Sequence, residues 1–577
     1  MKQVESKTGA QVLVDSLVKA GTEVLFGYPG GQILDVFDCL PRAPMRFVLG
    51  RHEQGSVHMA DGYARATGKP GVCIVTSGPG ATNTITGLAT ANMDGVPIVC
   101  ITGQVPLSQI GTDAFQEADT TGITRGVSKH NFLIHSADEI PETVAQAFYI
   151  ATHGKPGPVV IDVPKDVQRG LTSAHYPERV SLRAYHPESS ATTSQLNRLA
   201  KMINEAERPV IYAGGGVISS GAAADISNLA HKAGIPVATT LMGLGAFDEH
   251  DPLALRMAGM HGTAAANWAL NEADLILAFG VRFSDRVTGK ISKYAPHAKI
   301  VHIDCDPSSI GKNVRVALGI VADVKDVLTT VSSRVKSAAH PEWMHRIEGW
   351  KRHRPITWKT MHPGVIMPQA VVEAVDRATK GQAIIVTDVG QNQMWAAQHF
   401  RHSIPRHFLS SGGMGTMGFG IPAAIGAALA RPEYKTVAIL GDGGAQMTFE
   451  EVVVAVEQKL PVTFVILNNG CLGMVRQWQE LFYKRNYSGS ILTVKGRPKN
   501  EHLEEDLPYD YLPDFKLLAE AHGAQAFRVI DPAKLDATIA KAVRSEKTTV
   551  VEVIIEPRAN VYPMIPPNRS VSEMVFK

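Results

Sequence analysis

The sequence predicts an α/β protein built from doubly wound parallel sheets. Short β-branched runs alternate with helix-like stretches nearly throughout its 577 residues, which is the pattern of successive strand–helix–strand units. Runs such as TVAIL (436–440) and VTFVIL (462–467) are apolar and strand-like. A chain of this length is too long for one hydrophobic core, so we expect about three or four domains.

Three blocks follow one another along the chain. The first opens on an amphipathic, helix-like stretch and ends in the strand PVVIDVPKD, after which a Pro- and Ser-rich linker follows. The second begins at RPVIYAGGG and carries the strands DLILAFG and KIVHIDCD. A segment without clear pattern, 340–364, precedes the third. The predicted domains are 1–172, 194–340 and 364–557, with a carboxy-terminal tail at 558–577.

The first and third blocks contain a faint internal repeat. GVCIVTSGPGATN followed by DGVPIVCITGQ parallels TVAILGDGGAQMT followed by QKLPVTFVILNN. In each, a strand ends in a Gly-rich loop, a helix follows, and a proline opens the next strand. Related folds would bring both loops to the carboxyl ends of parallel strands, where such sheets bind ligands. The alternative to a true repeat is two unrelated strand–helix–strand units that share the usual sequence pattern of such units.

Composition excludes several classes of function. A net charge of +2 gives no reason to expect nucleic acid or an anionic membrane as a partner. The longest weakly polar stretch, GFGIPAAIGAALA, is shorter than the ~20 residues that span a bilayer, and the amino terminus resembles no targeting peptide. Scattered cysteines show neither metal spacing nor a disulfide pattern, which predicts a reducing cytoplasm. They are Cys39, Cys73, Cys100, Cys305 and Cys471.

Polar residues follow two strand-like runs of the third block. Asp442 stands between glycines in GDGG, and Asn469 ends VTFVILNN. Glycines at a strand-to-helix turn let a phosphate approach backbone amides, and a hard cation removes the repulsion between phosphate and carboxylate. Mg²⁺ could take oxygens from Asp442, Asn469 and the carbonyl of Cys471. A capping Asp with a turn-forming Asn-Asn pair is the alternative.

The spacing of GDG and NN resembles the thiamine diphosphate signature, and the resemblance extends over nearly the whole chain to the acetolactate synthase (acetohydroxyacid synthase) catalytic subunits. It implies the thiamine diphosphate-binding fold, with pyrimidine and pyrophosphate domains flanking a central FAD-binding-type domain. The segments that carry it include FGYPGG, RHEQG, DGYARATGKPG, TSGPGATN, IGTDAFQE, GMHGT, VRFSDRVTGK, VHIDCDP, VGQNQMWAAQ, SGGMGTMGFG and LNNGCLGMVRQW.

The resemblance implies a role for each matched residue. Glu53, in RHEQG, would stabilise the imino form of the cofactor's pyrimidine, and Gln116 and Lys165 would be further catalytic residues on the channel wall. Outside its motif Glu53 would be an ordinary surface carboxylate. The implied metal ligands are Asp442, Asn469 and Cys471. The implied thiamine diphosphate residues are Glu53, Gln391, Asn392, Gly415, Met417, Gly441, Asp442, Gly443, Gly444, Asn469, Cys471, Gly473 and Met474.

Substrate and flavin residues are implied in the same way. The substrate channel would be lined by Gly27, Phe115, Met474, Val475 and Trp478, although the last three could simply form a buried helix face. FAD is implied for the central domain, against the alternative of a nucleotide fold that serves only as structure. The implied FAD residues are Lys155, Gly214, Gly215, Gly216, Gly259, Met260, His261, Gly262, Gly280, Arg282, Arg286, Asp304 and Asp323.

Several positions depart from the family's pattern. Ser108 stands where some relatives have arginine, Ser284 replaces an acid in RFSDR, and Asn392 replaces a histidine. Lys155 keeps the charge of an arginine but loses its fork geometry. The polar stretch 484–511, together with the tail, would form a lid that excludes water from the site, and a solvated surface insertion is the alternative for its middle part.

The implied reaction is decarboxylation of pyruvate and ligation of the remaining two-carbon unit to a second 2-oxoacid. Pyruvate as acceptor gives 2-acetolactate and 2-oxobutyrate gives 2-aceto-2-hydroxybutyrate, the first common step of branched-chain amino acid biosynthesis. The cofactor would lie between the Glu53 domain of one chain and the Asp442 domain of another. A homodimer or homotetramer is therefore implied, and a small regulatory subunit is common in the family.

Three rival functions differ in what they leave unexplained. A literal G-x-G-x-x-G at 413–418 fits a nicotinamide-dependent oxidoreductase, but that motif alone is weak and explains neither Asn469 nor RHEQG. Another thiamine diphosphate-dependent 2-oxoacid decarboxylase, oxidase or carboligase shares the scaffold, although IGTDAFQE and GMVRQW favour the synthase. A non-catalytic binding subunit would not need Glu53, Asp442 and Asn469 together.

Overall fold

A computed structural model describes residues 6–492 and 513–576. It contains three six-stranded parallel sheets, one in each block, so the predicted α/β class with three doubly wound domains is confirmed. Their strands are covered by helices on both faces, as uniformly apolar strands require. Within the described ranges, the helices are too short or too polar to span a membrane.

The amino-terminal sheet has the order β3-β2-β4-β5-β7-β6, and β1 pairs with β8 in a separate antiparallel ladder that joins residue 7 to residue 172. Its strands are β1 Lys7–Thr8, β2 Val24–Gly27, β3 Arg46–Leu49, β4 Gly71–Val75, β5 Ile98–Gln104, β6 His130–Leu133, β7 Pro158–Pro164 and β8 Leu171–Thr172. Its α-helices are Gly9–Lys19, Leu34–Cys39, Glu53–Thr67, Pro79–Thr82, Ile85–Asp94, Thr120–Thr124, Ile140–Thr152 and Lys165–Arg169, with 3-10 turns at Leu40–Arg42, Leu107–Gln109 and Ala137–Glu139.

The central sheet has the order β11-β10-β9-β12-β13-β14, in which the direction of winding reverses between β9 and β12. A crevice at the carboxyl ends of strands forms at such a reversal. Its strands are β9 Pro209–Ala213, β10 Val237–Thr239, β11 Ala254–Met257, β12 Leu275–Phe279, β13 Lys299–Asp304 and β14 Leu318–Val321. Its α-helices are Thr193–Glu205, Gly215–Ser219, Ala223–Ala233, Ala264–Glu272, Asp285–Thr288, Val324–Ser332 and Pro341–His353, with 3-10 turns at Leu241–Gly243 and Ile291–Lys293.

The carboxy-terminal sheet has the order β16-β15-β17-β18-β20-β19. Counted along the chain, this is the order of the amino-terminal sheet, so the two repeat segments occupy the same places in two sheets of one topology. Its strands are β15 Ile384–Thr387, β16 Phe408–Leu409, β17 Thr436–Gly441, β18 Thr463–Asn468, β19 Gln525–Val529 and β20 Thr549–Ile554. Its α-helices are Pro368–Thr379, Gln391–His399, Gly420–Ala430, Asp442–Met447, Val452–Glu457, Gly473–Phe482, Phe515–Ala521 and Leu535–Arg544, with 3-10 turns at Phe449–Glu451, Pro532–Lys534 and Val571–Glu573.

The two outer domains share one hydrophobic core, which forms where the helices Glu53–Thr67 and Gly420–Ala430 pack together. Glycine allows a close approach at two points: a Cβ on Gly62 would lie 2.1 Å from the carbonyl oxygen of Ala423, and one on Gly426 would lie 1.9 Å from that of Met59. The two helices therefore touch backbone to backbone, and the middle of the Glu53 helix is held by the carboxy-terminal domain.

The expectation that 340–364 lacks regular structure is wrong for its first half. Residues Pro341–His353 form a helix that starts with proline, where the missing N–H costs nothing. Trp343 and Ile347, one turn apart, are buried against the central domain, and the Trp343 indole donates to the carbonyl of Pro209 (3.2 Å). The charged residues between them hide this i, i+4 apolar pair from a count of polarity.

The tail from residue 558 is packed into the protein and joins two domains. Val561, Met564 and Ile565 are buried, and the backbone N–H of Ile565 donates to the carbonyl of Met260 in the central domain. Of the stretch 484–511 predicted to act as a lid, residues 493–511 lie outside the described residues. The described part pairs with the loop after β18, through the antiparallel bridge Cys471–Ile491.

Candidate functional site

Three polar side chains stand at the carboxyl ends of neighbouring strands in the carboxy-terminal sheet. Asp388 follows β15, Asp442 follows β17 and Asn469 follows β18, and these strands are adjacent in the sheet. All three side chains are buried. Parallel strands bring their carboxyl ends to one edge, which is where sheets of this type bind ligands.

Asp442 is a buried carboxylate with one oxygen unused. It is 4% exposed, and its Oδ1 accepts a hydrogen bond from the Gly443 N–H (2.8 Å). In the described part of the chain, Oδ2 has no hydrogen-bond partner. Burial raises the pKa of this carboxyl to about 7. An unpaired buried charge is unfavourable, so a cation bound at Oδ2 would stabilise the ionised form.

Asn469 and Cys471 form the other side of this corner. The Asn469 Oδ1 accepts from the Cys471 N–H (3.1 Å), and its Nδ2 lies 3.5 Å from Gln391 Oε1. Burial raises the pKa of the Cys471 thiol to about 12, so this sulfur stays protonated and is a poor metal ligand. Among the described residues, no group of three His, Cys, Asp or Glu side chains could hold a metal. One carboxylate with an amide oxygen suits Mg²⁺ instead.

Three helices begin at this edge, and in the described part of the chain the residue before each helix makes no side-chain capping hydrogen bond. They are Gln391–His399, Asp442–Met447 and Gly473–Phe482. Apart from the Gly443 N–H, which donates to Asp442, their first N–H groups could face an anion, and a helix start carries partial positive charge. A Cβ on Gly473 would lie 2.2 Å from Gln391 Oε1, which shows how closely the backbone approaches.

The remaining residues implied for thiamine diphosphate gather at the same edge. The Asn392 amide donates to the Ile439 carbonyl (2.9 Å), so the residue that replaces a histidine is anchored to β17. The Gln391 amide donates to Gln477 and to Ala559 in the tail (both 2.9 Å). A Cβ on Gly443 would lie 3.4 Å from the Met417 methyl, and one on Gly444 would overlap Asp388. Gly415 lies on the exposed loop before them.

Glu53 is the first residue of the helix Glu53–Thr67, at the carboxyl edge of the amino-terminal sheet. The His52 ring caps that helix by accepting from the Gln54 N–H (3.1 Å). The Asn83 amide donates to Glu53 Oε2 (3.0 Å), and a Cβ on Gly80 would lie 3.6 Å from Oε1. Glu53 thus has one oxygen held by an amide and the other beside a glycine loop.

The predicted channel residues lie along the same edge of that sheet. Lys165 Nζ donates to the Gly31 carbonyl (2.7 Å), and Gly27 ends β2 against the carbonyl of Ile74. Phe115 is 85% exposed. Gln116 adopts φ +61, a strained conformation for this residue type. Ser108 is exposed in the turn Leu107–Gln109.

Glu53 and Asp442 form separate groups within one chain. Among the described residues, no hydrogen bond joins Glu53 or Asn83 to Asp442, Asn469 or Cys471. The strand ends that carry the two acids belong to two different sheets. One chain therefore carries both predicted groups, each with its own set of hydrogen-bond partners.

A cleft of about 690 Å³ lies where the three domains meet, at the reversal between β9 and β12. Predicted flavin residues on its wall are Lys155, Gly215, Gly216, Met260, His261, Gly280, Arg282, Arg286 and Asp304. Gly214, Gly259 and Gly262 lie in the turns behind the wall, and Asp323 instead caps the helix Val324–Ser332 by accepting from the Lys325 N–H (2.8 Å).

Charges in the cleft wall come from the amino-terminal and central domains. Asp94 accepts from the N–H groups of Gly412 (3.0 Å) and Gly413 (2.7 Å), and it pairs with Arg65 (3.0 Å) and with Arg282 (3.8 Å). Burial raises the pKa of Asp304 to about 6. Ser284, where the family has an acid, also lines the cleft, so this wall carries one carboxylate fewer than the family pattern.

A second, open pocket of about 400 Å³ adjoins the cleft and shares Met474 and Trp478 with it. Val475 is 46% exposed at its mouth, so this apolar trio is not the buried helix face that the alternative required. Arg286 stacks over the Trp478 ring, with its guanidinium carbon 5.5 Å from the ring centre. A pocket with an apolar wall beside a guanidinium suits a small carboxylic acid with an alkyl group.

Three residues with a place in these groups were not singled out in the sequence. Asp388 follows a β-branched run in the same way as Asp442, so the strand-end rule could have found it. Asn83 is five residues beyond Gly78 in a loop already recognised as Gly-rich. Asp94 depends on contacts between domains, and short-range patterns carry no signal for those.

Comparison with known proteins agrees with this geometry. Family models for thiamine pyrophosphate enzymes match the chain three times: the N-terminal TPP binding domain over 7–123, the central domain over 196–331 and the C-terminal TPP binding domain over 388–553. The acetolactate synthase large subunit of Haemophilus influenzae is 44% identical over 99% of this chain and 98% of that protein. The chain belongs to the acetolactate synthase family.

Other members give the same result. The probable acetolactate synthase large subunit of Methanocaldococcus jannaschii is 45% identical over 98% of this chain and 95% of its own length. The acetolactate synthase isozyme 3 large subunit of Escherichia coli is 43% identical over 97% of each chain. Like its family, the chain is a thiamine diphosphate-dependent enzyme of the acetolactate synthase type.

Proposed function

We propose that this enzyme decarboxylates pyruvate and ligates the two-carbon unit to a second 2-oxoacid, as the first common step of branched-chain amino acid biosynthesis. The products would be 2-acetolactate from pyruvate and 2-aceto-2-hydroxybutyrate from 2-oxobutyrate. One observation carries the proposal: the unpartnered Asp442 oxygen at a corner where three uncapped helices begin, in a chain of this family. A metal diphosphate satisfies all of these groups at once.

Asp442, Asn469 and the carbonyl of Cys471 would hold Mg²⁺ in this proposal. The N–H groups that start the three helices, together with the Gln391 and Asn392 positions, would surround the diphosphate. Bound thiamine diphosphate supplies the carbon nucleophile and the electron sink that 2-oxoacid decarboxylation needs. Glycine at 443, 444 and 473 lets Leu472, Asp388 and Gln391 pack directly against the backbone at this corner.

Glu53 would hold a proton at the pyrimidine N1′ of the cofactor. The Asn83 amide fixes one carboxylate oxygen, which leaves Oε1 to face the ring. A carboxylate held in this way can form a hydrogen bond to the ring nitrogen. Gln116 and Lys165 are the other catalytic residues in the proposal, with Gly27, Phe115, Met474, Val475 and Trp478 as the walls around the substrate.

A second copy of the chain completes the site in this proposal. As the family resemblance implies, the Glu53 group of one chain would face the Asp442 group of another. Phe115 (85% exposed) and Met447 (56% exposed) are large apolar side chains beside the two half-sites, and a homodimer or homotetramer would cover them. The relatives are described as large subunits, so a small regulatory subunit belongs to the proposal as well.

FAD is proposed for the three-domain cleft. Its position at the reversal of a sheet ordered 3-2-1-4-5-6 is where nucleotides bind in this architecture, and Gly215, Gly216 and Gly280 let a diphosphate approach the backbone. Lys155, Arg282 and Arg286 would balance the charge of the diphosphate. We place the enzyme in the cytoplasm, where its five free cysteines would remain reduced.

Purified protein supplied with pyruvate, thiamine diphosphate and Mg²⁺, with and without FAD, tests the proposal. Acetolactate is the expected main product, and separation from acetaldehyde and acetate identifies the alternatives. Acetaldehyde as main product would make the enzyme a decarboxylase, and acetate would make it an oxidase. A yellow protein whose absorbance is lost when flavin is removed would support FAD independently of activity.

A further inference from the structure

The segment that follows Asp442 crosses from the carboxy-terminal domain to the loop that carries Glu53. It runs through the helix Asp442–Met447 into the 3-10 turn Phe449–Glu451. The Glu451 side chain is fully buried at the end of this turn. Its Oε1 accepts from the His52 N–H (3.0 Å) and its Oε2 from the Arg51 N–H (3.0 Å). These are the two residues that immediately precede Glu53.

Neighbouring contacts fix the geometry of Glu451 against this loop. A Cβ on Gly55 would lie 1.9 Å from Glu451 Oε1, so glycine at 55 lets the carboxylate lie flat against the first turn of the helix. The Arg51 guanidinium pairs with Glu457 (2.7 Å) further along the same segment. That pair is partly exposed, whereas the Glu451 contacts are dry, and buried hydrogen bonds of a charged acceptor are the stronger kind.

We propose that Glu451 is a positioning residue that holds the Glu53 loop, and therefore the Glu53 carboxylate, in its working place from the carboxy-terminal domain of the same chain. This rests on the proposed role of Glu53. The carboxyl group takes both N–H groups that lead into the helix. Glu451 connects the Glu53 loop to the segment that begins at Asp442. In a shared-site oligomer, one chain would therefore link the Glu53 group of one active centre to the Asp442 group of the other.

Glu451→Gln tests the proposal, because it keeps the size of the side chain but turns one acceptor into a donor that faces an N–H. We expect kcat to fall about 10- to 100-fold, with the pyruvate KM and the dissociation constant of thiamine diphosphate changed less than about threefold. The near-ultraviolet circular dichroism of the bound pyrimidine should shift from the imino toward the amino form. Glu457→Gln is the matched control, since it removes only the exposed pair, and we expect it to keep wild-type kcat and spectrum.

Mixed oligomers then show through which half-site Glu451 acts. A chain with Asp442→Ala and a chain with Glu53→Gln should regain activity when mixed, because one site then combines an intact Glu53 with an intact Asp442. Adding Glu451→Gln to the Asp442→Ala chain should abolish the rescue, whereas adding it to the Glu53→Gln chain should leave it. Equal effects in both chains would overturn positioning of Glu53.

Two results separate this inference from the proposed function. If mixing restores no activity, the shared-site proposal fails, while the spectrum and the kcat of Glu451→Gln still test positioning. If Glu451→Gln does not fold, Gly55→Ala displaces the same carboxylate without removing it and should give the same split between kcat and KM. A Glu451→Gln or Gly55→Ala protein with wild-type kcat and an unshifted spectrum would refute the role.

Discussion

Replacing Gly62 by alanine tests whether the outer domains depend on backbone contact between their helices. The added Cβ would lie 2.1 Å from the carbonyl oxygen of Ala423, about 1.3 Å short of the 3.4 Å at which ordinary contact begins. The obstacle is backbone in the helix Gly420–Ala430, so no side chain can rotate away. The two helices must separate, and the core that both domains share must open.

The magnitude follows from two opposing effects. Overpacking a well-filled core costs about 1–3 kcal/mol, and alanine returns about 1 kcal/mol through its higher helix propensity. Because backbone does not yield easily, we expect a net loss of about 2 kcal/mol in the free energy of unfolding. In a domain of 150–250 residues this lowers the melting temperature by roughly 4–8 °C.

Calorimetry without cofactor or metal measures this effect, since bound ligands would mask it. Gly349→Ala is the matched control, because Gly349 is also helical and a Cβ there meets no atom of the described chain within 4 Å. It should raise the melting temperature through helix propensity alone. If the melting temperature of Gly62→Ala equalled or exceeded that of the wild type, the two helices could move apart at no cost in stability. The shared core would then not hold the two domains together.

The remaining predictions concern charge. Glu53→Gln should nearly abolish turnover while thiamine diphosphate still binds, and unchanged turnover would remove its proposed role. Asp442→Asn should raise the melting temperature of metal-free protein, because an unpaired buried carboxylate is lost, and should weaken the stabilisation by Mg²⁺ with thiamine diphosphate more than about tenfold in cofactor concentration. Asp162, buried beside Thr102 and Gln104, has its pKa raised to about 7 by burial. It therefore favours the folded state below about pH 4 and loses that contribution as pH rises through 7, so Asp162→Asn should flatten thermal stability between these values.

Much of the fold could be predicted because its strands are buried on both faces. Runs such as 436–440 and 462–467 are short, apolar and β-branched, which predicts strands. The glycines that follow these runs mark the strand ends at which the site forms. Strand order could not be predicted in the same way. The reversal between β9 and β12, which creates the three-domain cleft, depends on which helices cross which face, and local sequence does not encode that.

The residues of the site divide in the same way, into those that local sequence predicts and those that depend on distant contacts. Asp442 and Asn469 could be predicted because each follows a strand and because the spacing of GDG and NN also indicates binding of Mg²⁺ and a diphosphate. Glu451 could not be predicted, because its partners lie 399 and 400 residues away in the chain and it simply follows another glutamate, Glu450, before an apolar run. Likewise the helix Pro341–His353 shows its buried face only once the central domain is there to receive it.

The two outer sheets share one strand order, but their acidic site residues follow different strands. In the amino-terminal sheet Glu53 comes after the second strand along the chain, whereas in the carboxy-terminal sheet Asp442 comes directly after the third. The topologically matching positions hold Gly413 and Thr76, which are neutral. The chemistry of each outer domain therefore depends on single residues that follow the ends of its strands. An acid could be moved from one domain to the other by substitution, without a change in the strand order of either sheet.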